Sequence, residues 1–252
     1  MVIAESLERE ISMKMSKIAG NPSYYLSRDN RVRTFLTHIK DAHSFWLEHP
    51  DMRRQVLDSG EVDAKKLKRV ARNGARRINE AWRYLSGLNN GKSVLEQISY
   101  NLILDVGRIV EPVINARGFR EGRVSLGFDD YCPPNPVKVP ELVRAFCHEL
   151  KSSDLSPVEA AAYAHLHIAG IQPFENGNKR VARLFQDKIL DCNELPPAVI
   201  PSGERQVYLD LLEQALAGIR DGKYGMQRPF FDYIGGKVNS ALDDIIGDLE
   251  LK

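Results

Sequence analysis

The run Gln172-Pro173-Phe174-Glu175-Asn176-Gly177-Asn178-Lys179-Arg180, with Arg183 just beyond it, holds the residue types that a polyphosphate site needs. Gly177 has no Cβ, so the backbone can approach a phosphate closely there. Asn178 is a favoured residue for starting a helix. A helix beginning at that point would turn its unpaired N–H groups and the positive end of its dipole toward the loop, where an anion could bind. Lys179, Arg180 and Arg183 add cationic donors, and the spacing of the two arginines puts them on about the same side of the new helix. Phe174, after Pro173, reads as an apolar anchor that fixes the loop to the core. A Gly-Asn-Lys-Arg string alone also describes an ordinary capped turn with solvated arginines. The longer pattern, set between two helical stretches, is far more specific.

The stretches around the loop are helical in period. Residues 156–159, Ser-Pro-Val-Glu, combine an N-cap serine, a proline at the first helical position and a glutamate two residues later, a capping-box start. The helix that follows, 160–168, is alanine-rich and should lie at the centre of the fold, with Gly170 closing it. The loop comes next, then a helix over 178–191, stopped before Pro196-Pro197. Amphipathic spacing predicts further helices over 29–48, 62–85 and 93–114, with Val113 on the inner face of the last. Another starts near Pro140 with Leu142, Val143, Phe146 and Leu150 inward. One is capped by Ser202, and the last opens at Pro229. The period changes at 118–127, where glycines bracket an alternating Val124-Ser125-Leu126 and suggest a short β-hairpin. The expected architecture is all-α, a helical bundle with one small β-hairpin. A break near 87–91 separates an N-terminal helical region, 1–90, from a core of 91–240, with 241–252 as the end of the C-terminal helix.

Composition narrows the function classes. The 252 residues suffice for one domain with an appendage, and 43% hydrophobic with 27% charged residues is ordinary for a globular chain. Lys plus Arg (35) nearly equals Asp plus Glu (34), so no global field recruits nucleic acid or an anionic membrane. Lys65, Lys68, Arg69, Arg72 and Arg76 form a basic stripe, read as the wet face of an amphipathic helix rather than a nucleic-acid patch. Cys132, Cys147 and Cys192 are widely spaced with no CxxC pair, which points away from disulfides and zinc and toward a reducing compartment. No apolar run approaches the roughly 20 residues of a membrane span. The expected location is cytoplasmic, and delivery into another cell by a dedicated secretion system would leave no mark on such a sequence.

The loop resembles the signature of the Fic (Fido) family, His-Pro-Phe-x-acid-Gly-Asn-Gly-Arg-x-x-Arg. The likeness extends over about 92–237. It includes His165 in the helix feeding the loop, Phe119-Arg120 with Val124 and Leu126 in place of the family's flap hairpin, Pro133-Pro134, 197–201, and Pro229-Phe230. The resemblance implies a protein adenylyltransferase that moves AMP from ATP to a Ser, Thr or Tyr hydroxyl of a target protein, with Mg²⁺ at the phosphates. It places Gln172 at the catalytic base and Asn176 at the metal ligand. Glu175, Gly177, Asn178, Lys179, Arg180 and Arg183 fall around the phosphates, and Arg123, Val124, Ser125 and Leu126 form a flap that holds the target as an added strand.

Two departures bear on activity. Gln172 stands where the family has histidine, and an amide cannot act as a general base. Asn176 stands where the family prefers a carboxylate, so it offers one neutral oxygen. His165 and His167 read as packing histidines. Whether the chain is an enzyme therefore stays open between an impaired adenylyltransferase and a nucleotide-binding pseudoenzyme that serves as an interaction module. A third reading is a Doc-like kinase, since Lys179 replaces the second glycine as in that branch. Glu96 is the nearest candidate for the family's inhibitory glutamate, and a regulatory partner or a homodimer is a further expectation.

Overall fold

Alanines and one capping box decide where the centre of the bundle lies. The computed structural model describes residues 3–25, 61–88, 93–128 and 131–250, with the side chains of 61–72, 202 and 250 outside the description. The helix expected over 29–48, and the stripe residues Lys65, Lys68, Arg69 and Arg72, lie outside what is described. Arg76, the described member of that stripe, is exposed and pairs with Glu80 one turn along. Every regular element among the described residues is helical.

Helix α6, Pro157–Ile171 in chain order, is the central element and opens with the complete capping box. Ser156 Oγ accepts from the Glu159 amide, and the Glu159 carboxylate accepts from the Ser156 amide. Ala160, Ala161, Ala162, Ala164 and Ala169 are fully buried, so neighbouring helices approach its backbone from several sides. The helix does not stop at Gly170. It continues one residue further, and position 170 is glycine because a Cβ there would sit only 2.5 Å from Leu216 Cδ2.

The remaining helices surround this one. They are α1 (Glu5–Ile18), α2 (Glu61–Ser86), α3 (Val94–Gln97), α4 (Tyr100–Val110), α5 (Val139–Ser152), α7 (Asn178–Cys192), α8 (Arg205–Arg220) and α9 (Arg228–Glu250). Among the described residues the pair α6 and α7 packs most extensively. Helix α1 lies along α9, where Lys14 meets Asp243 and Asn239. Ile78, Ala81, Trp82 and Leu85 of α2 are buried, and α2 packs on α4 and α7.

Several sequence expectations need correction. The helix expected over 93–114 is two helices, because Ser99 turns extended and its hydroxyl accepts from the Leu102 amide, 3.3 Å away, to start α4 afresh. Helix α4 ends at Val110, so Val113 falls beyond it and is 78% exposed instead of inward. Ser202 begins a short 3₁₀ turn, Ser202–Glu204, and Arg205 then opens α8.

The β-hairpin over 118–127 does not form, since no strand occurs among the described residues. Three alternating residues offer too little pairing to hold a two-stranded ribbon. The segment is pinned elsewhere: the Arg120 amide donates to Pro173 O at 2.9 Å, and the Arg120 side chain is buried. Of the flap residues, Arg123 and Ser125 are exposed, Val124 is half-buried and Leu126 is buried.

Candidate functional site

The loop 172–177 joins the C-terminus of α6 to the N-terminus of α7, and each of its turns has a physical cause. Gln172 closes α6 in the left-handed region, at φ 48° and ψ 62°. A non-glycine residue there is strained, so its surroundings must hold it. They do so through three bonds. Its Nε2 donates to Ala169 O at 2.6 Å, its Oε1 accepts from Asn178 Nδ2 at 2.9 Å, and its carbonyl accepts from Arg120 Nε at 2.6 Å. The Gln172 side chain is 5% exposed. Its amide is thus committed to the loop's own architecture.

Asn178 is not the residue that precedes the helix. Gly177, at φ 81°, takes that position, and Asn178 is the first helical residue. The Asn178 side chain turns back and clamps Phe174, accepting from its amide and donating to its carbonyl, both at 2.8 Å. Glycine at 177 is doubly required, because a Cβ there would meet Val110 Cγ1 at 3.0 Å and Glu111 Cγ at 3.3 Å. Phe174 is fully buried, with its ring against Gly107 and at 5.4 Å from that of Phe119. The anchor reading of that residue matches its surroundings.

The cations are distributed around this loop. Arg180, 1% exposed, has its Nη2 at 2.8 Å from Glu111 Oε1, just past the end of α4. The other oxygen of Glu111 meets Arg77 Nη1 of α2 at 3.2 Å. Arg183 is also buried, and with Lys179 it lies close enough to His165 to help keep that imidazole neutral. Glu175 is exposed and accepts from the Gly122 amide at 3.2 Å, so it ties the 118–127 segment to the loop. Glu96 is exposed on α3, and the carboxylate that meets Arg180 is that of Glu111.

Asn115 and Glu111, which sequence reasoning missed, and Arg120, which it placed only in the flap, build the site as much as the residues it named. Arg120 places its guanidinium among four backbone carbonyls, those of Gln172, Gly122, Pro134 and Ile171. Burial lowers its pKa from the ordinary arginine value, and the Glu175 carboxylate opposes that shift. Asn115, 1% exposed, donates to Gly107 O and to Asn176 O, both at 3.0 Å. Glu111 holds Arg180. The glycines flanking Arg120 were a usable signal; Asn115 and Glu111 carried none.

Asn176 Oδ1 accepts from the Gly177 amide at 2.7 Å and lies 3.5 Å from Arg180 Nη2. That oxygen is neutral, already engaged, and faces a cation. Among the described residues no group of three or more His, Cys, Asp or Glu could hold a metal ion. The side chains present do not fit a protein-built Mg²⁺ site.

His165 and His167 sit on α6 before the loop. His165 is fully buried, with Nδ1 at 2.6 Å from Gln186 Oε1 and Nε2 at 2.9 Å from Tyr208 Oη. The amide oxygen can only accept, so the proton belongs on Nδ1. Burial, with smaller help from Arg183 and Lys179, lowers the His165 pKa to about 3, against the bond to Gln186. The unfolded chain takes up this proton near pH 6.5 and the folded one only near 3. Stability is therefore fully present above pH 6.5 and is lost as the pH falls below it. Urea unfolding at pH 4 against pH 7 should show a loss of which His165 accounts for on the order of 3 kcal/mol, with a further share from His167, whose pKa burial lowers to about 4. His165→Gln should flatten that slope, and an equally steep slope in the variant would assign it to other groups.

A helical pair whose connecting loop presents a glycine-gated helix N-terminus beside buried arginines defines a class, and comparison with known proteins gives it a family. Residues 92–190 match the model of the Fic/DOC family, and the chain contains a Fic domain. It is 30% identical over 172 residues to the protein adenylyltransferase Fic of Nematostella vectensis, covering 66% of this chain and 38% of that protein. It is 34% identical over 137 residues to that of Drosophila virilis, covering 53% and 26% respectively. The chain thus spans well under half the length of these curated relatives.

Solved structures agree on the fold. A fragment of Fic-1 from C. elegans (residues 134–508) superposes with a TM-score of 0.72 at 22% identity, over 98% of this chain and 72% of that one. A Fic-domain signalling protein from Bacteroides thetaiotaomicron superposes at 0.69 and 19% identity, over 95% and 96%. Among the described residues no helix is long and apolar enough to cross a membrane.

Proposed function

We propose that this chain is a protein adenylyltransferase scaffold, built to move AMP from ATP to a protein Ser, Thr or Tyr hydroxyl and strongly impaired in that step by Gln172. The observation that carries the reading is the loop itself, with Gly177 at φ 81° opening α7 and Asn178 holding the turn in shape. In the transfer, a target hydroxyl oxygen bonds to the α-phosphorus and the bond to the pyrophosphate oxygen breaks. Backbone amides at the start of α7, with Lys179, Arg180 and Arg183, would bear the phosphate charge. The hydroxyl proton needs an acceptor, and the Gln172 amide cannot take it near neutral pH. ATP is the substrate of this reading. Mg²⁺ would enter with the nucleotide, since Asn176 alone does not build its site.

The commitment of the Gln172 side chain to Ala169 and Asn178 favours a second reading, a nucleotide-binding pseudoenzyme that works through a regulatory partner or as a homodimer. We also divide the chain at about residue 90, the N-terminal helices then supporting a core of 91–240, with 241–252 as the final segment. The segment 123–126 is the surface assigned to the target. A cytoplasmic location fits the three free cysteines.

Incubation with α- and γ-labelled ATP separates these readings. α-Label on a target or on the protein itself supports adenylyl transfer. γ-Label alone would indicate a Doc-like kinase. Nucleotide binding without transfer, even after Gln172→His, supports the pseudoenzyme. Calorimetry on Arg183→Ala should show ATP binding weakened about tenfold or more, the worth of a charge-assisted hydrogen bond. Unchanged affinity would remove Arg183 from the phosphate site.

A further inference from the structure

A cavity of about 360 Å³ lies between α5, α6 and α8, and none of the residues assigned above to nucleotide or target lines it. Its place relative to the loop is set by the chain itself. Ile171, the last residue of α6, is on the lining, and Gln172 follows it, about 3.8 Å further from Cα to Cα. Two more lining residues, Tyr131 and Pro134, are tied to the same turn. Tyr131 Oη donates to Gly170 O at 3.1 Å, and Pro134 O accepts at 2.6 Å from Arg120 Nη2, whose guanidinium also holds the Gln172 carbonyl. The cavity therefore opens beside the position of the family base, next to the segment that follows 123–126.

Most of the lining is apolar, with Leu142 and Phe146 from α5 and Leu216 and Ile219 from α8. Its charge is one-sided. Among the described residues Glu149 is the one acid on the lining, and no lysine or arginine joins it. Burial lowers the His167 pKa to about 4, so that ring supplies no counter-charge near neutral pH. The Glu149 carboxylate accepts from Tyr163 Oη through Oε2 at 2.7 Å, and no ion pair holds it among the described residues. Apolar walls that end at such a carboxylate suit a guest with an aliphatic stem and a cationic tip, because the stem is buried while the charge stays near water. A guanidinium adds favourable contact with aromatic rings, and Tyr224, 62% exposed, stands on the lining where the cavity meets solvent.

We propose that this cavity receives an arginine side chain of the target protein, its stem between α5 and α8 and its guanidinium at Glu149. The proposal rests on the adenylyltransferase reading for the source of that arginine, since a target hydroxyl brought to the position of Gln172 carries its neighbouring residues past Ile171. Glu149 then selects targets that bear arginine near the acceptor.

Nα-acetyl-arginine amide and its citrulline counterpart isolate the charge, because citrulline has the same stem and a neutral tip of the same shape. NMR titration of the full chain, followed at the amides of His167, Gly170 and Ile171, should show the arginine probe bound about threefold to fivefold more tightly, the worth of an ion pair at a partly exposed carboxylate. Glu149→Gln keeps an acceptor for Tyr163 Oη and should bring the two probes level. Glu149 is exposed, so the variant should fold. No shift at those amides, equal binding of the two probes by the unaltered chain, or a preference that survives in Glu149→Gln would each overturn the proposal. The source of the side chain is read separately, from α-label transfer by Gln172→His to serine peptides with arginine or citrulline at each position near the acceptor. Label that favours the arginine peptides by a similar factor supports the target as the source, and equal label on both overturns it. Label on neither, with the probe preference intact, would overturn the transfer reading and the target as source, leaving the cavity as a site for a cationic side chain.

Discussion

Gln172→His should raise the rate of α-label transfer from ATP by about 10²–10⁴, the usual worth of a positioned general base. Three structural facts argue that the substitution can act locally. The Gln172 backbone is held in its left-handed turn by its carbonyl's bond to Arg120 and by its own amide's bond to Ile168 O, neither of which involves the side chain. Imidazole is similar in size to the glutamine amide. The side chain also gives up two bonds on replacement, to Ala169 O and from Asn178 Nδ2, and Asn178 keeps its hold on Phe174 without them. ATP affinity should change little, since base removal or addition acts on the transfer step. A rate unchanged by the substitution, with ATP still bound, would show that a missing base is not what limits this chain, and the pseudoenzyme reading would stand.

Glu111→Ala should lower stability by about 3–5 kcal/mol, the cost of stripping the partner from a buried charge. Arg180 is almost wholly inside the fold and Glu111 is mostly so, with Arg77 sharing the carboxylate from α2. Removing the carboxylate takes from the buried Arg180 guanidinium its 2.8 Å ion pair, and Asn176 Oδ1, at 3.5 Å, is neutral. Chemical denaturation at neutral pH measures the loss. Replacing Arg180 and Glu111 together, with methionine and leucine, should recover much of it, because an apolar pair of similar volume has no charge to desolvate. A loss below about 1 kcal/mol would place the pair among solvent-screened bridges, where such contacts contribute little. Through Glu111, Arg77 of α2 is tied to Arg180 at the start of α7, so the outcome also measures how firmly α2 supports the loop.

Local chemistry made much of this protein readable in advance. The capping box at Ser156, the alanine run after it, the apolar face of α5, and a helix starting at the Gly177-Asn178 step all follow from rules that act within one or two turns of chain. The choice of the loop as candidate chemical centre rested on signs of the same local kind, a glycine and clustered cations. Helical periodicity pointed to the all-α class in the same way.

Other features depended on partners distant in sequence. Arg120 became a buried clamp because the carbonyls of Ile171 and Gln172 at the end of α6, with those of Gly122 and Pro134, surround its guanidinium. Position 170 takes glycine because Leu216, far along the chain, fills the space of the missing Cβ. Helix α4 broke off before Val113, and Glu111 then faced Arg180 across the fold. In each case the deciding energy is the desolvation of a buried polar or apolar group. That energy depends on which atoms surround it in space, and neighbours along the chain do not reveal them.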